Sequence, residues 1–116
     1  MKTLWHIASK QDADIGKQAG SYQPMSLAQE GFIHCCYLSQ ISQVANRFYS
    51  GQMDLVLVQI NPSRLYCSVV EEDLYNHGQN FPHIYGVLPW NAVISIYDFP
   101  CHADGTFSLP ATIGNQ

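Results

Sequence analysis

The sequence is poor in charged residues, and especially poor in cationic ones. Charged side chains make up 12% of the 116 residues, well below the usual share of about 25%. Five Lys and Arg stand against nine Asp and Glu, which gives a formal net charge of −4. Because nucleic-acid duplexes and anionic membranes are bound through clustered Lys and Arg, this composition argues against both as partners.

Long apolar runs and paired cysteine motifs are also missing. No apolar run approaches the roughly 20 residues of a membrane-spanning helix, and the first residues do not follow the pattern of a secretory signal. The cysteines show no C-x2-4-C spacing, which is typical of structural zinc sites. We therefore expect a cytoplasmic protein with four reduced thiols. These are Cys35, Cys36, Cys67 and Cys101.

The length and the apolar content predict one folded domain. Hydrophobic residues make up 47% of the chain, which excludes a disordered protein, and a chain of this length forms about one core. We expect a single domain over residues 1–116, with its core over about residues 3–99 and a loosely held tail over 100–116.

Short β-prone runs alternate with helical patterns that are concentrated in the first half of the chain. Ile41, Val44, Ala45 and Phe48 lie at i, i+3, i+4 and i+7, as on one face of a helix, whereas Leu55–Ile60 is nearly continuous apolar sequence typical of a buried strand. The expected class is α+β, with a small, mostly antiparallel sheet that splits or curls and two to three short helices. The other expected strands are Thr3–Ala8, Phe32–Cys36, part of Leu65–Glu72 and Ala92–Phe99. The other expected helices are Gln11–Ala19, with Ser9 as a candidate cap and Gly20 as its stop, and Ser26–Glu30.

The placement of three histidines is the most informative functional signal. His6, His34 and His83 each lie within an apolar or aromatic segment. Burial of an imidazole is unfavourable unless both ring nitrogens have partners. One such residue is usually part of a core, but three of them predict a histidine-lined cleft in which neutral imidazoles bind a small molecule.

Other chemistry remains open at these positions. Three imidazoles could hold a catalytic zinc, although the sequence lacks H-x-H or H-E-x-x-H spacing. Glu71 or Glu72 could supply a carboxylate. Cysteine–histidine catalysis is disfavoured because Cys35 would face away from His34 on a strand. Of the two arginines in the chain, Arg47 is the better candidate to bind a phosphate group.

Five segments resemble a small bacterial family, domain of unknown function 952. The resemblance runs in order from about residue 3 to residue 99, and the family has no established activity. The segments are Trp5–Ile7, Glu30–Cys35, Val44–Tyr49, Asp54–Leu57 and Phe81–Gly86.

The fold of that family is similar to that of ADP-ribosyltransferases, which bind NAD in a cleft between two small sheets. Leu4–His6 followed by Ser9 resembles the strand of poly-ADP-ribose polymerases and diphtheria-type toxins whose histidine contacts NAD. Ile33–His34 before a helix is similar to a stretch of tRNA 2′-phosphotransferases. The chain departs from these families in three ways. It has Ile7 where the polymerases and toxins have glycine. It has no glutamate after Glu72, whereas they have a catalytic glutamate late in the chain, and it has two arginines where the phosphotransferases use several.

The resemblance implies a binding site for NAD or a related nucleotide and a possible transfer or hydrolysis of ADP-ribose. Fold similarity alone is a weak argument for activity, so a non-catalytic module that binds a small molecule or a protein is the alternative. Carried over residue by residue, the resemblance implies His6 and His34 as NAD contacts. From the chemistry of the reaction we further expect a catalytic set of His34, His83 and Glu72. The full expected set of NAD contacts is Trp5, His6, Ser9, His34, Arg47 and Tyr85.

Overall fold

Residues 2–113, the part of the chain that the computed structural model describes, contain three α-helices, three single-turn 3-10 helices and eight short strands. All strand pairs in these residues are antiparallel, so the α+β class and the split sheet are confirmed. The helices are α1 (Lys10–Ala19), α2 (Met25–Glu30) and α3 (Ile41–Phe48). The strands are β1 (Leu4–Ser9), β2 (Ser21–Tyr22), β3 (Ile33–His34), β4 (Leu55–Ile60), β5 (Val69–Glu72), β6 (Phe81–Ile84), β7 (Leu88–Pro89) and β8 (Val93–Asp98).

The first sheet, of order β1-β4-β8, separates two hydrophobic clusters. The alternation of a strand sends Leu4 and Ala8 of β1 into one cluster and Trp5 and Ile7 into the other. Strand β4 is central, and all six of its residues are buried, which explains its nearly continuous apolar sequence.

Helix α1 ends where the sequence predicts and begins one residue earlier, at Lys10. Ser9 is the N-cap, and its Oγ accepts a hydrogen bond of 3.0 Å from the backbone N–H of Asp12. Gly20 ends the helix with φ of 82°, a left-handed conformation that glycine adopts without strain. No helix in residues 2–113 is long and apolar enough to cross a membrane.

The second three-stranded sheet, of order β3-β6-β5, is joined to the first through one bridge. Trp5 of β1 and Cys36, two residues after β3, exchange two backbone hydrogen bonds of 2.8 Å. In the second sheet His34 pairs directly with His83. The fold thus brings together two histidines that are 49 positions apart in the chain (83 − 34).

The predicted apolar stripe of α3 divides between two environments. Ile41 and Ala45 are fully buried in the second cluster, whereas Val44 is half-buried and Phe48 is about half exposed. The periodicity correctly predicted the helix, but not that its outer apolar residues would face a cavity.

The core extends beyond residue 99, in contrast to the expected loose tail. Phe107 is buried with its ring centroid 4.8 Å from that of Phe99, and Ile113 is buried in the same cluster. Asn46 of α3 holds this segment because its side chain accepts from the backbone N–H of Phe107 at 2.7 Å and donates to its carbonyl at 3.0 Å. Residues 100–113 form no strand or helix, so no periodic pattern marked them as part of the core.

Gly86 provides a test of packing beside the second sheet. A Cβ at this position would lie 2.7 Å from Cβ and 2.8 Å from Sγ of Cys67, so Gly86→Ala is expected to lower the free energy of unfolding by about 1–3 kcal/mol. Denaturant titration measures the change, with the exposed Val87→Ala as control. Adding Cys67→Gly should recover most of the loss, and an unchanged stability in Gly86→Ala would contradict the close contact.

Candidate functional site

A cavity of about 560 Å³ lies against α3, the second sheet and the loop over residues 73–80. This volume is within the range of small-molecule sites. Aromatic rings and imidazoles supply most of its wall, and we call it the histidine cavity. Its lining residues are Glu30, His34, Cys35, Val44, Phe48, Tyr49, Tyr75, His77, Phe81 and His83.

His34 is held by a carboxylate from the end of α2. Its Nε2 lies 2.9 Å from Oε2 of Glu30, and the hydroxyl of Tyr75 donates to the same oxygen at 2.6 Å. The bond from Tyr75 lowers the pKa of Glu30 and keeps it ionised. Because an ionised carboxylate only accepts, neutral His34 carries its proton on Nε2 and keeps a lone pair on Nδ1.

His83 is held by a second carboxylate, on β5. Its Nδ1 lies 2.8 Å from Oε2 of Glu72, and the hydroxyl of Tyr85 donates to the same oxygen. The His83 ring stacks on Phe32 with centroids 4.2 Å apart. Burial lowers the pKa of His83, so the ring is neutral at pH 7, with its proton on Nδ1 and a lone pair on Nε2.

Two of the three predicted histidines therefore share a cavity. The ring centroids of His34 and His83 are 5.4 Å apart in an edge-to-face arrangement, and both rings line the histidine cavity. Each ring has one nitrogen bonded to a carboxylate. The pair can therefore accept hydrogen bonds from a ligand or take up a proton.

His6 does not line the cavity, which corrects its predicted role. Its Nδ1 lies 2.5 Å from the backbone carbonyl of His34, and its Nε2 lies 2.8 Å from the hydroxyl of Tyr22. Since a carbonyl only accepts, Nδ1 donates and Nε2 accepts from the tyrosine. Burial lowers the pKa of His6 to about 4. His6 is a neutral core residue that anchors β3 and is not among the residues that line the cavity.

Trp5 and Ser9 also lie away from the cavity lining. Trp5 is fully buried in the second cluster, with its ring 5.8 Å from that of Tyr97, and Ser9 caps α1. Both positions lie on the strand whose resemblance suggested NAD contacts. The sequence alone could not show that these side chains point away from the cavity, because that depends on both faces of β1 being covered by core.

The remaining predicted residues lie at the edge of the cavity or behind its wall. Arg47 is exposed, with its guanidinium carbon 5.5 Å from the ring centroid of the lining residue Phe48. Glu72 lies behind His83, and Tyr85 is bonded to Glu72 with its side chain partly exposed. Neither Glu72 nor Tyr85 is a lining residue. Glu71 instead accepts a hydrogen bond from Tyr37.

Sequence reasoning missed Glu30, Tyr75 and His77 as parts of the site. Glu30 is four residues before His34, but Gly31, with φ of 88°, ends α2 between them, so no helical spacing links the pair. The loop bearing Tyr75 and His77 is folded by Asp73, whose carboxylate accepts from the backbone N–H of His77 at 2.7 Å. The Asp, Asn and Gly residues of this segment predict a loop, but not its position over a cavity.

Cys35 lines the same cavity as His34, which corrects the expectation that it faces away. It lies just after β3 rather than within a strand, so the alternation rule does not apply to it. Burial raises the pKa of the Cys35 thiol well above its usual value, which keeps it protonated and a poor nucleophile. Within residues 2–113 no three His, Cys, Asp or Glu side chains are grouped so as to hold a metal ion.

The family relationship follows from comparison with known sequences. A family described as protein of unknown function (DUF952) matches residues 7–96 of the chain, which include both pocket histidines and both carboxylates that hold them. The chain belongs to the DUF952 family. No curated protein matches the chain at a significant level.

Solved structures of one bacterial protein are similar to this DUF952 chain over nearly its whole length. The crystal structure of CC0527 from Caulobacter crescentus is 26% identical, with a TM-score of 0.85, and the match covers 97% of this chain and 99% of that one. The solution NMR structure of CC0527 is 28% identical, with a TM-score of 0.76 and 98% of each chain covered. The DUF952 fold described above therefore extends to a relative of modest sequence identity.

Proposed function

We propose that the histidine cavity binds NAD or a related nucleotide and that the protein has an ADP-ribosyltransferase-like fold. The observation that carries this proposal is the pair of imidazoles, His34 and His83, side by side in a cavity of ligand size. Each is oriented by a carboxylate, as is common where imidazoles act on ligands. This constellation favours a ligand that offers several hydroxyl groups together with an aromatic ring.

In this proposal the two histidines bind a ribose. Nδ1 of His34 and Nε2 of His83 accept hydrogen bonds from ribose hydroxyls, while aromatic side chains such as Phe48 and Phe81 pack on the base. Arg47, exposed beside Phe48, is the proposed contact for a phosphate that lies in solvent outside the cavity, where a single guanidinium adds little affinity. The cytoplasm is the proposed compartment because it would keep the four unpaired cysteines reduced.

The proposed reaction is cleavage of the bond between nicotinamide and ribose. This bond breaks through an oxocarbenium-like state, as in glycoside hydrolysis. Water or an acceptor hydroxyl adds to the anomeric carbon, the bond electrons leave with nicotinamide, and the proton passes to Nε2 of His83. Glu72 positions His83 through Nδ1 and stabilises the imidazolium that forms.

Binding is tested by thermal unfolding in the presence of NAD. Millimolar NAD should raise the melting temperature by linkage, and His34→Ala should abolish that shift. The His34 side chain is 39% exposed and its backbone carbonyl, which anchors His6, is retained, so the variant is expected to fold. His102→Ala is the matched control, since His102 lies on the surface and outside the lining. No shift at millimolar NAD in the wild type would contradict the proposal.

A non-catalytic binding module is the second candidate. It is favoured by one observation: Glu30, the carboxylate in the cavity wall, already accepts hydrogen bonds from Tyr75 and His34 and is therefore not free to change partners during a reaction. The two candidates differ in product. Nicotinamide release from NAD by the wild type, lost in His83→Gln, would identify an enzyme, and stable binding of intact NAD would identify a binding protein.

A further inference from the structure

We propose that the histidine cavity recognises the N-ribosyl aromatic cation of its ligand and that phosphate groups add nothing to affinity. This inference rests on the proposed function and narrows it, because it names a phosphate-free nucleoside with a cationic base as the preferred ligand class. Nicotinamide riboside is such a compound, whereas NAD carries the same cation with two phosphates and an adenosine. The charge, the hydrogen-bonding capacity and the aromatic lining of the cavity each support it.

The charge of the lining is negative. Glu30 is the ionised group among the lining residues, and no Lys or Arg is one of them. Arg47, which neighbours the lining residue Phe48, is exposed and lies over the Phe48 ring. A single exposed guanidinium is a weak partner for two phosphates, and a phosphate placed inside would face the Glu30 carboxylate in a partly desolvated site.

Three groups of the lining are held as acceptors toward a ligand. Glu30 fixes the proton of neutral His34 on Nε2, and Glu72 fixes the proton of His83 on Nδ1, so the other nitrogen of each ring has a lone pair. The Tyr75 hydroxyl donates its proton to Glu30, so it can only accept from a ligand. These three groups bind hydroxyl donors and cations, and none of them donates to a phosphate oxygen.

The aromatic lining suits a flat cation. Phe48, Tyr75 and Phe81 line the cavity, and the His77 ring contacts all three with centroids 5.5 to 6.2 Å apart. Aromatic faces attract a cation through the ring quadrupole, most strongly where water is displaced. A pyridinium ring between these side chains would lie near the Glu30 carboxylate that Tyr75 holds.

Calorimetric titration of the intact protein with four ligands tests the inference. Nicotinamide riboside should bind at least as tightly as nicotinamide mononucleotide and NAD. Its uncharged 1,4-dihydro form, which keeps the ribose, should bind about tenfold more weakly. Glu30→Gln keeps the shape of the side chain and should reduce this preference by weakening the binding of the cationic ligands, while the aromatic contribution stays. Glu71→Gln is the matched control, because Glu71 is also bonded to a tyrosine but lies outside the cavity lining.

The possible results separate this inference from the proposed function. If NAD binds tenfold more tightly than nicotinamide riboside, or if the reduced and cationic nucleosides bind equally, the inference is wrong and the nucleotide site still stands. If none of the four ligands binds, the nucleotide site itself is wrong and the inference falls with it. The ligand series uses the wild-type protein, so it decides the question even if Glu30→Gln does not fold.

Discussion

Replacing Trp5 by alanine is expected to lower the free energy of unfolding by about 3–5 kcal/mol. The side chain is fully buried in the second hydrophobic cluster, where its ring lies near Tyr97. The large cavity left by the indole cannot close, because the backbone of Trp5 is pinned to Cys36 by two hydrogen bonds. Chemical denaturation followed by circular dichroism measures the loss.

Trp5→Phe is the matched control for this experiment. The indole N–H is buried without a hydrogen-bond partner in the described part of the chain, so removing it sacrifices no bond and the phenyl ring retains most of the apolar contact. The expected cost is therefore much smaller than for alanine. If the free energy of unfolding of Trp5→Ala lies within about 0.5 kcal/mol of the wild-type value, as for a surface residue, Trp5 is not a core residue. It would then again be a candidate ligand contact.

Lowering the pH from 7 to 4 is expected to remove about 3 kcal/mol of stability through His6 alone. Burial lowers the pKa of His6 in the folded protein from 6.5 to about 4. Between these values the unfolded chain binds a proton that the folded chain does not, so the free energy of unfolding falls as the pH falls. The contribution is fully present above about pH 6.5 and is lost by about pH 4.

His6→Gln isolates this contribution. Glutamine offers one donor for the His34 carbonyl and one acceptor for the Tyr22 hydroxyl, as the neutral imidazole does, but it cannot bind a proton in this range. Unfolding free energies measured from pH 7 to pH 4 should therefore fall less steeply in the variant. Burial also lowers the pKa of His83, and hydrogen bonds lower the pKa values of Glu30 and Glu72. These groups contribute to the pH dependence of the unfolding free energy in both proteins. Equal slopes in His6→Gln and the wild type would show that His6 does not titrate as described.

Local patterns predicted the elements well but predicted the site only in part. The cap at Ser9, the stop at Gly20 and the strand Leu55–Ile60 depend on neighbouring residues, and the structure confirms each of them. The pairing of His34 with His83 depends on the register of two strands far apart in the chain. The sequence predicted one cleft for three histidines, and the fold brings two of them, His34 and His83, to the same cavity.

The same reasoning was wrong for His6 because an apolar context does not distinguish a ligand-facing imidazole from a buried one. What decides its role is the pair of partners, the Tyr22 hydroxyl and the His34 carbonyl, and both come from other strands. Glu30 was missed for a related reason. Its partners Tyr75 and His34 come from different segments of the chain, and only the folded backbone brings all three together.

The C-terminal segment has a practical consequence for how this protein is handled. The family match ends at residue 96, yet Phe107 is held by Asn46 on the helix that also carries the lining residues Val44 and Phe48. A polypeptide trimmed to the matched boundary would leave the inner face of that helix without its apolar backing. A ligand screen on such a fragment would then test a protein whose cavity wall had lost its support.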